Sequence, residues 1–176
     1  MNNYLVITAL GSDRPGIVKE LAKNITEHEC NIEDSRMTVL GGEFAIMLMV
    51  SGNWNTIAKL QDHMPGLEQQ LGLTIITKNT ESRQPIGKTL PYAAEVIALD
   101  HQGIVMNLAN FFSTRNINIE EMTTHCYAAA HTGTPMFAVH MEIGIPATQS
   151  ISELRESFMD FCDNLNLDAV LEPMKS

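Results

Sequence analysis

Apolar positions along the first eighty residues change period repeatedly, and each change marks an element. Tyr4 to Leu10 is a short run rich in β-formers that stops at Gly11 and reads as a buried strand. Ile17, Val18, Leu21, Ala22 and Ile25 then fall at helical spacing. This spacing predicts a helix over about residues 15–28, with Pro15 in the first turn, where a missing N–H is tolerated. Ile32 to Leu40 and Glu43 to Val50 flank Gly41-Gly42, a pair suited to the positive φ angles of a hairpin turn. Ile57, Leu60, Met64, Leu67 and Leu71 alternate spacings of three and four, predicting a second helix that kinks or restarts at Pro65-Gly66. Leu73 to Thr77 closes the set as a strand.

The same order returns in Tyr92 to Leu99, Ile104 to Phe112, Ile117 to Tyr127, Phe137 to Ile145, Ile151 to Leu165 and Leu167 to Leu171. Ser150 and Glu153 form a capping box at the last helix. Two β-α-β-β-α-β units give an α+β chain of ferredoxin-like domains, each an antiparallel sheet with two helices on one face. The expected bounds are 1–80 for the first domain and 92–176 for the second. Residues 81–91, with Ser82, Pro85, Gly87 and Pro91, read as a linker. Phe44 to Val50 is apolar at every position and should be covered on both faces, the second cover coming from outside its unit. Phe137 to Ile145 instead alternates with Ala138, His140, Glu142 and Gly144, so one face of that strand is wetter.

Charge narrows the class of partner. The formal net charge is −10 and the sequence pI is about 4.9, which argues against direct nucleic-acid binding, since that needs a basic face to displace phosphate counterions. Residues 92–176 hold three Lys/Arg against eleven Asp/Glu, while residues 1–80 hold six against nine. The acidic second half suits either a basic protein partner or a solvated surface. Cys30, Cys126 and Cys162 show no paired spacing, so neither a disulfide framework nor a zinc ribbon is expected. No leader and no apolar run long enough for a membrane span is evident, and a cytoplasmic location is expected.

One segment occurs twice, 87 residues apart: Asp13-Arg14-Pro15-Gly16-Ile17-Val18 and Asp100-His101-Gln102-Gly103-Ile104-Val105. The match resumes at Asn31-Ile32-Glu33 and Asn118-Ile119-Glu120. A glycine at a strand-to-helix junction lets a ligand approach the backbone, and the free N–H groups of the first helical turn can cradle a carboxylate. Asp13 with Asn31, and Asp100 with Asn118, would supply acceptors for an ammonium group. The competing reading is structural: the aspartates cap helices and the glycines make turns. Retention of Asp, Gly, Ile and Asn together in two otherwise divergent copies favours the ligand.

Catalytic signatures are missing. No GxSxG, HExxH or phosphate-binding loop occurs, so the chain reads as a regulator rather than an enzyme. Acylphosphatases share the topology and need a loop arginine, for which Arg14 is the counterpart, but their glycine-rich loop is absent. RNA-recognition modules need exposed aromatics and a basic face, which this chain lacks. His125, Cys126, His131 and His140 share one hairpin, but strand alternation sends His125 and Cys126 to opposite faces, so no metal site is expected. Most methionines read as core filler.

The paired DRPGIV and DHQGIV loops, each followed about fifteen residues on by Asn-Ile, resemble tandem ACT domains, the amino-acid-sensing modules that regulate metabolic enzymes and transcription. The resemblance covers nearly the whole chain. It implies ligand contacts at Asp13, Gly16, Ile17 and Asn31 and at Asp100, Gly103, Ile104 and Asn118. His101-Gln102 in place of Arg14-Pro15 departs from the usual loop, and loss of the proline's rigidity argues against an expectation of equal affinity in the two copies. A stand-alone pair without a catalytic domain or helix-turn-helix is similar to members that repress transcription through a separate DNA-binding activator, with glycine as the dissociating signal. It leaves room for a homo-oligomer. The alternative implied by the family is a detached regulatory subunit of a metabolic enzyme.

Overall fold

In the computed structural model, which describes residues 3–82 and 88–174, the β-α-β-β-α-β order appears twice. The chain divides into two compact units, Met1–Arg83 and Gln84–Ser176. The first contains β1 (Asn3–Ser12), α1 (Ile17–Glu27), β2 (Asn31–Leu40), β3 (Glu43–Gly52), α2 (Trp54–Leu71) and β4 (Thr74–Thr80). The second contains β5 (Thr89–Leu99), α3 (Ile104–Ser113), β6 (Asn118–Ala128), β7 (Pro135–Pro146), α4 (Ile151–Asn164) and β8 (Asp168–Pro173). The sheets run β2-β3-β1-β4 and β6-β7-β5-β8, with every neighbouring pair antiparallel. This is the ferredoxin-like arrangement in both units.

Period-2 alternation builds each core. Leu5, Ile7 and Ala9 of β1 and Phe44, Ile46, Leu48 and Val50 of β3 turn inward, where Ile17, Leu21 and Ile25 of α1 and Ile57, Leu60, Met64 and Leu67 of α2 cover them. In the second unit, Phe111 and Phe112 of α3 lie 5.3 Å from the Phe158 ring of α4, centroid to centroid, above Val96, Met141 and Ile143. Burying a large apolar side chain stabilises by roughly 1.5–3 kcal/mol, so these facing stripes supply the main drive for folding.

Several local expectations need correction. Pro15 is not in the first turn of α1: the helix begins at Ile17, after Gly16 in left-handed backbone. α2 does not restart at Pro65-Gly66; it runs unbroken from Trp54 to Leu71. It starts earlier than the apolar spacing indicates, because the Asn53 side chain accepts the Thr56 N–H at 2.9 Å and caps it. The first strand of each unit, β1 and β5, runs beyond the apolar run that announces it. Thr89, Leu90 and Pro91, read as linker, pair in β5 with Pro146, Ile145 and Gly144 of β7. Pro85 and Gly87 of that segment lie outside the described residues.

The open face of the first sheet carries exposed apolar side chains. The inward residues of β3 are buried, but Met47 on the other face is 53% exposed, with Leu10 and Ile76 beside it at 49% and 64%. Among the described residues that face is left partly exposed.

Candidate functional site

The two repeated loops take the same backbone path. After β1, the Asp13 N–H donates to the Gly42 carbonyl at 3.0 Å, which ties the loop to the β2-β3 turn; in the second unit the Asp100 N–H donates to the Pro135 carbonyl at 3.0 Å. Gly16 has φ 88° and Gly103 φ 93°, each immediately before a helix whose first turn has no side-chain cap. Only glycine holds that backbone without strain. The capping alternative for Asp13 and Asp100 therefore fails: glycine occupies the cap position in both units, and the first-turn N–H groups keep no intrahelical acceptor.

Ile17 and Ile104 are 3% and 2% exposed, and their side chains anchor each helix in its core. They fix the loop from beneath. Beside the second loop lies a cavity of about 440 Å³ lined by His101, Gly103, Ile104, Val105, Met106 and Phe137. Met106 and Phe137 were not among the expected contacts. Phe137 reaches the loop because Asp100 pairs with the end of the β6-β7 hairpin, a long-range register that spacing along the chain does not reveal.

The asparagines do not join this site within their own units. Asn31 opens β2 as expected, but it pairs with Ser51, which in turn pairs with Tyr4 at the beginning of β1. Asp13 follows Ser12 at the other end of the sheet, eight residues or about 27 Å away along the strand. Asn118 likewise pairs with Gly144 opposite Pro91, far from the loop that follows Leu99. The reason is topological: α1 carries the chain back along the sheet, so the start of β2 must lie at the end where β1 began. Asn31 instead donates through Nδ2 to Glu33 Oε1 at 3.2 Å, and the Ser51 hydroxyl donates to the same oxygen. Those bonds, chiefly the one from Ser51, hold the Glu33 carboxyl below its ordinary range. Glu33 and its counterpart Glu120 each sit at a bulge between β2 and β3 or β6 and β7.

The loops differ in charge. Arg14 donates Nη1 to Glu20 Oε1 at 3.1 Å and Nη2 to Glu20 Oε2 at 2.6 Å, a two-point ion pair from the loop to the first turn of α1. This pairs the loop arginine, the side chain a phosphate-binding role would need, with a carboxylate. The corresponding positions in the second unit are His101 and Asn107, and the His101 Nδ1–H donates to the Gln102 carbonyl at 3.0 Å. The second loop thus carries no such bridge.

Two ferredoxin-like units, each with a left-handed glycine at the helix start after its first strand, define a tandem ACT-domain protein, and the ACT domain family model matches residues 3–78. The chain is 30% identical over 164 residues to the glycine cleavage system transcriptional repressor of Escherichia coli (strain K12), covering 93% of this chain and 86% of that one. It belongs to the family of that repressor. A crystal structure assigned to a glycine cleavage system transcriptional repressor superposes with a TM-score of 0.77 at 27% identity, over 100% of this chain and 99% of that one. An unknown protein from Galdieria sulphuraria superposes with a TM-score of 0.80 at 26% identity, over 99% of this chain and 100% of that one.

Proposed function

We propose that the chain is an amino-acid-responsive repressor that binds glycine at its strand-helix loops and acts by binding a DNA-binding activator rather than DNA. The observation that carries the ligand half is the repeated left-handed glycine, Gly16 and Gly103, at two uncapped helix starts. A carboxylate set against the N–H groups of Ile104 to Met106 gains both hydrogen bonds and the positive end of the helix dipole. The Asp100 carboxylate, at the head of the same loop, accepts the ammonium group. Asp13, Gly16 and Ile17 form the equivalent set in the first unit, where the Arg14–Glu20 bridge crowds the loop with charge; the second loop, with its cavity, is the stronger site.

The net charge of −10 supports a protein partner over DNA. Repression by an acidic, non-catalytic chain then requires only that glycine bind the free protein and the complex with different affinities, a coupling typically of about 1–3 kcal/mol. Calorimetric titration with glycine, serine and alanine tests the reading. Selective binding of glycine that Gly103→Val removes is the expected result. Equal binding of all three, or glycine affinity unchanged in Gly16→Val and Gly103→Val alike, would overturn the assignment of the loops.

A further inference from the structure

The helix layer of the first unit carries a histidine pair that the ligand loops do not use. His28 caps α1 at the end away from Gly16, and His63 lies in the middle of α2. Their ring centroids are 4.7 Å apart and their planes are tilted by 37°. Asn24 fixes both rings. Its backbone carbonyl lies 2.7 Å from His28 Nδ1, and a carbonyl only accepts, so His28 carries its proton on Nδ1. The Asn24 side chain donates through Nδ2 to the Glu20 carbonyl at 2.9 Å, which sets the amide's orientation and leaves Oδ1 as the acceptor, 3.0 Å from His63 Nε2. His63 therefore carries its proton on Nε2.

The other nitrogen of each ring, His28 Nε2 and His63 Nδ1, then presents a lone pair. Both residues are half-buried, yet among the described residues no buried side-chain nitrogen or oxygen lacks a partner, so these two atoms reach solvent. An imidazole whose N–H is tied to a protein oxygen and whose second nitrogen is bare is the arrangement of metal-ligating histidines, in which the outer hydrogen bond sets tautomer and ring orientation. We propose that His28 and His63 bind one divalent transition-metal ion of the zinc class, which joins the end of α1 to the middle of α2.

The ring spacing fits. With metal–nitrogen bonds of about 2.0–2.1 Å and bond angles of about 90–110°, two imidazoles on one ion hold their ring centres about 4.5–5.2 Å apart. Imidazole suits zinc, copper and nickel, whereas magnesium and calcium take oxygen donors. Among the described residues no group of three histidines, cysteines or carboxylates gathers. Cys30, two residues after His28, is buried and turns its Sγ to the His28 carbonyl at 3.6 Å. Water completes the coordination shell, which makes this an exchangeable site rather than a closed structural one. The second unit does not repeat the pair: 87 residues on from Asn24 and His28 stand Phe111 and Arg115, and the Arg115 guanidinium lies 3.8 Å over the Phe111 ring.

Calorimetric titration of the untagged full chain with zinc chloride at about pH 7.5 tests the proposal, with magnesium chloride as the comparison. Zinc should bind at one ion per chain and lose about tenfold or more in affinity in His28→Gln and in His63→Gln, with His125→Gln unchanged; Asn24→Ala, which removes the acceptor that orients His63, should weaken it about tenfold. At ten times its dissociation constant, zinc should raise the wild-type Tm by about 3–8 °C. Imidazole nitrogen NMR of the wild type reads the site without any substitution. The zinc-free protein should show His28 protonated at Nδ1 and His63 at Nε2, and zinc should shift His28 Nε2 and His63 Nδ1. No zinc binding, equal binding of magnesium, affinity unchanged in both histidine variants, or zinc shifts confined to His125, His131 and His140 would each overturn the assignment.

Discussion

Arg14 and Glu20 are joined at two points, Nη1 to Oε1 at 3.1 Å and Nη2 to Oε2 at 2.6 Å, and this bridge is the main chemical difference between the two repeated loops. The hydrogen bond from Arg14 holds the Glu20 carboxyl below its ordinary value of 4.5. A carboxyl with a lowered folded-state pKa contributes stability above its unfolded pKa and loses it as pH falls through the lowered value. Carboxyl carbon NMR should therefore find Glu20 titrating below the ordinary range in the wild type and moving back up in Arg14→Gln. A Glu20 that titrates normally in the wild type would show that the bridge does not persist in solution.

Gly103→Ala separates backbone strain from steric blockage. A Cβ there would meet nothing closer than Asn107 Nδ2 at 3.8 Å, so the cost is that of holding an L-residue at φ 93°. Left-handed backbone costs an L-residue roughly 1–2 kcal/mol. Chemical denaturation should show a loss of about that size, and the loop's own relaxation should weaken glycine binding more than stability alone explains. Gly66→Ala, with no neighbour within 4 Å and at an ordinary helical φ, serves as the control and should not destabilise.

Much of this architecture is legible along the chain, and the failures have physical causes. The strands were marked by Leu5, Ile7 and Ala9 alternating toward one face, and α1 by Ile17, Leu21 and Ile25, because burial imposes period 2 or 3.6 on the residues that face the core. Gly16 and Gly103 were visible as repeats, although their left-handed geometry was not. Repetition of Asn31 does not reveal its distance from Asp13: a crossover helix returns the chain, so the end of β1 and the start of β2 lie apart. Phe137 was missed as a lining residue because its approach depends on pairing between Asp100 and the β6-β7 hairpin, a contact between residues distant in sequence. The Arg14–Glu20 bridge spans six residues across a turn, a spacing that neither helix nor strand periodicity singles out.

The cysteines should differ sharply in reactivity. Cys126 is exposed, whereas Cys30 and Cys162 are buried, and burial pushes the Cys162 thiol up to about 12. The thiolate is the reactive form, so iodoacetamide at pH 8 should label Cys126 alone in the native protein and all three in denaturant, as read by mass spectrometry. For an acid whose folded pKa is raised, the unfolded state loses its proton first. Stability should accordingly fall as pH rises from about 9.0 toward about 12, and Cys162→Ala should show a shallower fall over that window.

Pro65 is the place where local preference and packing oppose each other most directly. Proline in a helix interior removes the N–H that would bond to the carbonyl four residues earlier, here Gln61, and crowds it, at a cost of about 3 kcal/mol. The helix nevertheless continues to Leu71, because Leu60, Met64 and Leu67 on either side are 0%, 3% and 1% exposed and would lose their place in the core if the axis broke. Burial of three such side chains, at roughly 1.5–3 kcal/mol each, outweighs the local cost. Pro65→Ala restores the N–H and a good helix former without altering the buried face, since Pro65 itself is exposed. Urea denaturation should show the variant more stable by about 1–3 kcal/mol; a loss of stability would mean that the proline's ring, or its restriction of the unfolded chain, matters more than the missing bond.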